Sequence, residues 1–211
     1  MVRNIVIVAP HPDDEILGCG GTIAKAISQG HNVSVLYLSS GDSIENKREK
    51  EAIQVCKFMG IKNYDFLRLK DQTFKVSAEN IQSVIKIFNK LKPEIIYINH
   101  GEDADFEHVI AYQLISQVFW RYNLQSAKKI NGMILYEVHK PLQTYNLSED
   151  ISDFIDIKMK AMSYYKSQLS TSRIDLAIRG LNQYRGVFHE QCQFAEVFSI
   201  KRWSSLFSDS E

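Results

Sequence analysis

One run in this chain concentrates groups able to do chemistry: His11-Pro12-Asp13-Asp14-Glu15, an imidazole and three carboxylates directly after the apolar segment Asn4–Ala9. Imidazole nitrogen and carboxylate oxygen are ordinary donors to a divalent cation, and His11 and Asp14, three apart in a turn, are able to aim at one ion. A second polar segment, His100-Gly-Glu-Asp-Ala-Asp-Phe-Glu-His108, carries two more histidines. His108, held by backbone at a helix start, is the better third donor. His100, at a strand end, suits an orienting group or a plain loop residue. Two histidines, one carboxylate and open positions characterise catalytic zinc sites, whereas structural zinc is closed by four ligands, usually cysteines. The same set fits the facial triad of a non-haem iron enzyme. Asp13 is left uncommitted beside the ion. It is placed to take a proton from metal-bound water as that water attacks and return it to a leaving amine, or to orient a ligand. A plainer reading makes the run a capped helix start, with Asp13 or Asp14 as N-cap. That accounts for one or two acids and leaves His11 unexplained. Glu15 falls in the first helical turn, where its charge suits the dipole.

The elements that position these groups follow from periodicity. Asn4–Ala9 is β-branched and apolar at nearly every position, as a strand buried on both faces of a parallel sheet requires. Pro10 and Pro12, without N–H groups, end it and stiffen the turn. Helical spacing then covers 15–29, closed by Gly30, and a strand covers 32–39. Ser40-Gly41-Asp42-Ser43 reads as a loop, followed by a helix over 46–59 that stops at Gly60. A short strand at 64–67, a loop over 68–76, a helix from Ser77 through Lys90 broken by Pro93, and a strand at 94–99 come next. The remainder reads as a helix over about 108–124, a strand at 133–138, a polar loop, helices at about 152–168 and 173–181, and a last strand at 194–200. Strands alternating with helices predict right-handed βαβ units: a Rossmann-like, doubly wound α/β fold, its sheet mostly parallel with helices on both faces. In the order 3-2-1-4-5 the first and fourth strands are neighbours, so the loop after Ala9 meets the loop after Asn99 at the sheet's carboxyl edge. Topology thus brings His108 and several carboxylates against His11, Asp13 and Asp14. His139, after the fifth strand at the same edge, is a further candidate.

The 211 residues, 45% of them hydrophobic, suit one domain over 1–211 with a proper core. The 25 basic and 25 acidic residues cancel, and no basic stripe appears, which argues against nucleic acid. Cys19, Cys56 and Cys192 are odd in number and lack a CxxC, pointing to a reducing compartment rather than a disulfide frame. No stretch approaches the roughly 20 apolar residues of a membrane span, and the N-terminal apolar run is too short for a signal, so a cytoplasmic location is expected. A homo-oligomer is compatible with the chain, and the sequence does not set its stoichiometry. Gly18-Cys19-Gly20-Gly21 hints at a dinucleotide fingerprint, but Ile23 stands where the third glycine belongs. These glycines suit close helix packing instead. His31 and His189 read as surface residues.

The stretch Ala9-Pro10-His11-Pro12-Asp13-Asp14-Glu15 with Gly18 and Gly20-Gly21 resembles the signature of the PIG-L or LmbE-like N-deacetylases. Arg48 and Glu51 are similar to the family's R-x-x-E helix, Leu69 to Gln72 to its leucine-to-Asp-Gly loop, and Asp103 to His108 to its second metal loop. Tyr136-Glu137-Val138, Ala161 with Ser167-Gln168, Arg179-Gly180 and Ala195-Glu196-Val197-Phe198 resemble its C-terminal landmarks. The resemblance implies that His11, Asp14 and His108 bind zinc, that Asp13 is general base and acid, and that Arg48 and Asp71 hold an N-acetyl sugar or glycoconjugate. Many relatives carry His and Asp where this chain has Asp105 and Glu107. An aspartate at 105 would repel a developing oxyanion unless protonated or turned away, so the metal carries more of that stabilisation or His139 helps. Asp103, Asp105 and His139 are therefore candidates for orienting ligands or facing the oxyanion. The expected activity is zinc-dependent removal of an acetyl group from an N-acetylated amino sugar. Two alternatives stand: a 2-His-1-carboxylate Fe2+ enzyme, disfavoured by the α/β pattern, and a nonenzymatic sugar- or nucleotide-binding module with a relic metal site.

Overall fold

The computed structural model describes residues 1–41, 47–71 and 73–203. Asp42 and Ser43 of the expected loop, the expected helix start at Asn46, and Gln72 lie outside the described residues. A seven-stranded sheet organises the chain in the order β3-β2-β1-β4-β5-β7-β6. Its strands are β1 (Asn4–Ala9), β2 (Asn32–Ser39), β3 (Asn63–Leu69), β4 (Ile95–Asn99), β5 (Gly132–Tyr136), β6 (Leu147–Asp150) and β7 (Ala195–Trp203). β1 to β5 pair in parallel, while β7 runs antiparallel to both β5 and β6. The α/β, mostly parallel architecture follows the alternation of strands and helices, and the first five strands take the expected 3-2-1-4-5 order.

β1 is central because both faces of its sequence are apolar. Ile5, Ile7 and Ala9 pack into a core with α1 (Asp14–Ser28), α2 (Lys47–Met59) and the later helices α5 (Ile155–Met162), α6 (Lys166–Leu169) and α7 (Ile174–Arg185). Val6 and Val8 face a second core with α3 (Ala78–Leu91) and α4 (Phe106–Gln125). The glycines of α1 serve close packing: a Cβ on Gly18 would lie 2.2 Å from the Tyr136 ring, and one on Gly21 would lie 2.6 Å from Ile151.

Three local expectations are corrected. The helix expected over 152–168 is broken: a 3-10 turn (Ser152–Phe154) leads into α5, and a turn at 163–165 separates α5 from α6. The break drops Tyr165 into the core, where its hydroxyl donates to Glu15, and lets the Ser167 N–H reach Glu51. The loop expected after β5 contains edge strand β6, whose Leu-Ser-Glu-Asp sequence carries no β-branched pattern; charge on an edge strand discourages further pairing. α7 runs past 181 to Arg185 and continues as a π-helical turn (Gly186–Glu190). Arg185 is held there by Glu137 and the Leu142 carbonyl.

Candidate active site

Strand β1 ends at Ala9, and the turn that follows delivers His11, Asp13 and Asp14 to the start of α1. The turn is fixed by Ile16 and Leu17 donating to the Asp13 carbonyl and by Ser39 N–H donating to the Pro10 carbonyl. Asp13 occupies the N-cap position at φ 127, in the positive region that L residues rarely adopt, and its side chain caps nothing. The helix-cap reading of this acid is therefore overturned. The Asp13 carboxylate accepts from Arg48 Nη2 at 2.9 Å, and the same nitrogen donates to the Pro12 carbonyl at 2.8 Å. Arg48 reaches across Gly41, where any Cβ would strike it at 2.3 Å and where φ is +72.

Glu15 stands in the first turn of α1, as expected, but it does more there than suit the helix dipole. It is fully buried, accepting from the Asp13 N–H at 3.1 Å, the Tyr37 hydroxyl at 3.1 Å and the Tyr165 hydroxyl. It thus clamps the strained Asp13 backbone from below. Burial raises its carboxyl to about 7 against the opposing pull of those donors.

His108 arrives from the first turn of α4. Asn99, at the end of β4, pins it by donating to the carbonyls of both His100 and His108 at 2.9 Å. His11 Nδ1 lies 3.5 Å from Asp14 Oδ2, and His108 Nε2 lies 3.2 Å from the same oxygen. Four ligands arranged tetrahedrally about 2.1 Å from an ion stand about 3.4 Å apart, so this spacing suits a shared cation. Nε2 of the fully buried His108 has no aligned hydrogen-bond partner, as expected of a nitrogen directed at an ion. The electrostatics agree. Burial opposes charge on both imidazoles, yet Asp14 and Glu107 push His11 up to about 10, and Asp14 and Asp103 push His108 up to about 11. Burial likewise disfavours the Asp14 carboxylate, but the imidazoles hold it well below the usual range. Positive charge is drawn to this point, and a divalent cation would replace those protons.

Each of the two histidines also meets a carboxylate on its far nitrogen. His11 Nε2 lies 3.0 Å from Glu107 Oε2, and His108 Nδ1 lies 3.5 Å from Asp103 Oδ1. Such partners fix ring orientation and raise ligand basicity. Asp103 is itself held by the N–H groups of Asp105 and His139. Asp105 caps α4, accepting the Glu107 N–H at 2.7 Å, so one of its oxygens is committed to the helix. His139 is exposed and its ring lies tilted by 36° against that of His108, with centroids 4.9 Å apart. His100, in contrast, accepts from Glu102 N–H on Nδ1 and lies 2.7 Å from the Lys140 carbonyl on Nε2, a loop-holding role.

His11, Asp13 and Asp14 open onto a cavity of about 290 Å³ that also includes Arg48, Asp71, Asp105, Glu107 and His139. Gln168 completes the lining; the sequence marked it as a landmark of the resemblance and gave it no role in the site, and Glu51 places it by binding both N–H and hydroxyl of Ser167. Burial and the Asp14 charge raise Asp13 above the ordinary carboxylate range, while Arg48 opposes them. Another cavity, about 330 Å³, lies beside His100 and Lys140, and none of His11, Asp13, Asp14 or His108 lines it. Cys19, Cys56 and Cys192 are all free thiols. Among the described residues no helix is long and apolar enough to cross a membrane.

A mostly parallel α/β sheet with a His-Asp-His cluster and an uncapped acid at its carboxyl edge defines a Rossmann-like protein with a candidate catalytic metal centre. Residues 6–119, more than half of the chain, match the family model PIG-L, described as GlcNAc-PI de-N-acetylase. The chain belongs to the PIG-L family. It is 25% identical over 188 residues to the probable N-acetyl-alpha-D-glucosaminyl L-malate deacetylase 2 of Bacillus cereus, covering 80% of this chain and 84% of the relative. The conserved protein TT1542 of Thermus thermophilus superposes with a TM-score of 0.87 at 24% identity, covering 100% of this chain and 99% of its own. The 4-carboxy-2-hydroxymuconate hydratase GalB of Pseudomonas putida KT2440 superposes at 0.85 with 18% identity, over 100% of both chains. These two structural likenesses show the fold.

Proposed function

We propose that this chain is a divalent-metal-dependent amidohydrolase that removes the acetyl group from an N-acetylated amino sugar or related glycoconjugate. The observation that carries the reading is the buried Asp13 carboxylate, free of any capping duty, which lines a polar cavity with His11 and Asp14, the two donors that cluster with His108. The family match and the Bacillus cereus relative supply the amide chemistry. His11, Asp14 and His108 would hold the ion, with Zn2+ as the proposed metal and Fe2+ as its alternative. When bound, a divalent cation at this position polarises a carbonyl and lowers the pKa of water.

The chain's own residues supply the rest. Asp13 takes a proton from the attacking water and delivers it to the departing amine; its raised pKa suits both halves of that cycle near neutrality. Arg48 aligns the carboxylate and keeps enough of it ionised to act as base. Glu107 and Asp103 orient the two imidazoles. Asp71, Asp105 and Gln168 offer polar groups to sugar hydroxyls, and His139, on the same lining, is the candidate to face the developing oxyanion.

The test is acetate release. Purified chain loaded with Zn2+ or Fe2+ is incubated with N-acetylglucosamine, its malate glycoside and its β-linked disaccharide. Stoichiometric acetate and free amine support the proposal. Protein holding one divalent ion per chain that liberates acetate from no acetamide refutes it. Oxygen-dependent turnover with iron would favour the facial-triad alternative, and hydration of an unsaturated carboxylate without acetate release would favour chemistry of the hydratase kind.

A further inference from the structure

We infer that this enzyme takes N-acyl chains longer than acetyl, housed in an apolar pocket beside the catalytic cavity. The inference rests on the amidohydrolase reading above. The pocket measures about 260 Å³ and is bounded by Leu17, Val138 and the α7 residues Ile174, Ile178 and Leu181, with His139 on its margin. His139 lines both this pocket and the catalytic cavity, so the two are neighbours across a single exposed side chain. Ile174, Ile178 and Leu181 recur at i, i+4 and i+7, an apolar stripe on α7 that ends in this opening.

The occupant follows from the planarity of the amide. A secondary amide is trans, so the sugar carbon on nitrogen and the acyl chain on carbon leave the amide in opposite directions. The sugar's hydroxyls suit the polar catalytic cavity, where Arg48 is bonded to Asp13, the proposed donor to the leaving amine, and Asp71 and Gln168 share the lining. The acyl chain then leaves towards His139 and the apolar pocket. Hydrolysis is otherwise unchanged: the C–N bond breaks, the oxygen of water joins the acyl carbon, and the products are the free amine and a longer carboxylate.

Two substrate series test this. In the first, glucosamine carries acetyl, butyryl or hexanoyl on nitrogen; in the second, N-acetylglucosamine carries methyl, butyl or hexyl at its anomeric oxygen. Released amine (kcat/KM) is expected to rise roughly fourfold per methylene in the acyl series until the pocket fills, and to stay level in the glycoside series. Ala177→Phe, an exposed α7 position on the pocket lining, is expected to bring the hexanoyl-to-acetyl ratio towards one with thermal unfolding unmoved. Calorimetry on the metal-free chain gives a readout apart from turnover: N-hexanoylglucosamine should bind with a more negative heat-capacity change than the N-acetyl compound. Acetyl as the fastest acyl group, or a gain confined to the glycoside series, overturns the inference while leaving deacetylation standing. No amine from any member of either series overturns both.

Discussion

Gly18→Ala puts the packing beneath the site under a defined load. A Cβ at this position would lie 2.2 Å from Tyr136 Cδ2, where ordinary contact begins at 3.4 Å, so some group must retreat by 3.4 − 2.2 = 1.2 Å. Tyr136 has no room: it is fully buried, and its hydroxyl donates to the Val8 carbonyl at 2.8 Å. Overpacking of this kind costs about 1–3 kcal/mol. Breaking the Tyr136 hydrogen bond adds about 1 kcal/mol. The expected destabilisation is about 2–4 kcal/mol, a fall in Tm of about 4–16 °C for a chain of this size. If α1 moves instead of the ring, Asp14, one turn before Gly18, moves with it. A displacement near 1 Å then costs about 100-fold in turnover. Urea and thermal unfolding measure the first effect, and zinc titration with acetate release measures the second. Gly180→Ala is the control: a Cβ there meets nothing within 4 Å, so the exchange on α7 should stabilise by about 0.5–1 kcal/mol. A Gly18→Ala protein that unfolds like its parent and binds zinc equally well would refute the account of α1 seating on β5.

Glu107→Gln should weaken metal binding about 10- to 100-fold, measured by competition with a chelating dye, because His11 loses the carboxylate on its Nε2; unchanged affinity would remove that role. Lys158→Met should cost about 3–5 kcal/mol in urea unfolding, since it leaves the buried Glu196 carboxylate without its cation, although the Gly21 and Thr22 N–H groups remain on it. Arg48→Met should move the acidic limb of kcat/KM to higher pH: Asp13 works as base only when ionised, and Arg48 is the larger of the two positive charges, with His11, that lower its pKa. A limb that stays in place or moves to lower pH would contradict this.

The site was legible in the sequence where local chemistry and strand order sufficed. The apolar run of β1 demands a central position, and once β1 and β4 are neighbours, His11 and Asp14 must face His108. Gly30 and Gly60 close their helices at positive φ, which is why they punctuated the periodicity correctly. What stayed hidden depends on distant partners. Glu15 was legible as a first-turn acid, but not its burial, because its hydroxyl donors come from β2 and from Tyr165, 150 residues away. The contact of Glu107 with His11 spans 96 residues and no periodicity announces it. Gln168 reaches the cavity only because the helix breaks after Met162, where the sequence reads as continuous. β6 is paired through β7 despite a polar sequence, so its neighbour rather than its composition makes it a strand.

The central claim, that Asp13 moves the proton while His11, Asp14 and His108 hold the ion, is tested most directly by Asp13→Asn with metal content and turnover measured on the same sample. The account predicts an unchanged one-to-one metal stoichiometry and a kcat for acetate release lowered by about 10²- to 10⁴-fold. Parental turnover, or loss of the ion together with activity, would contradict it.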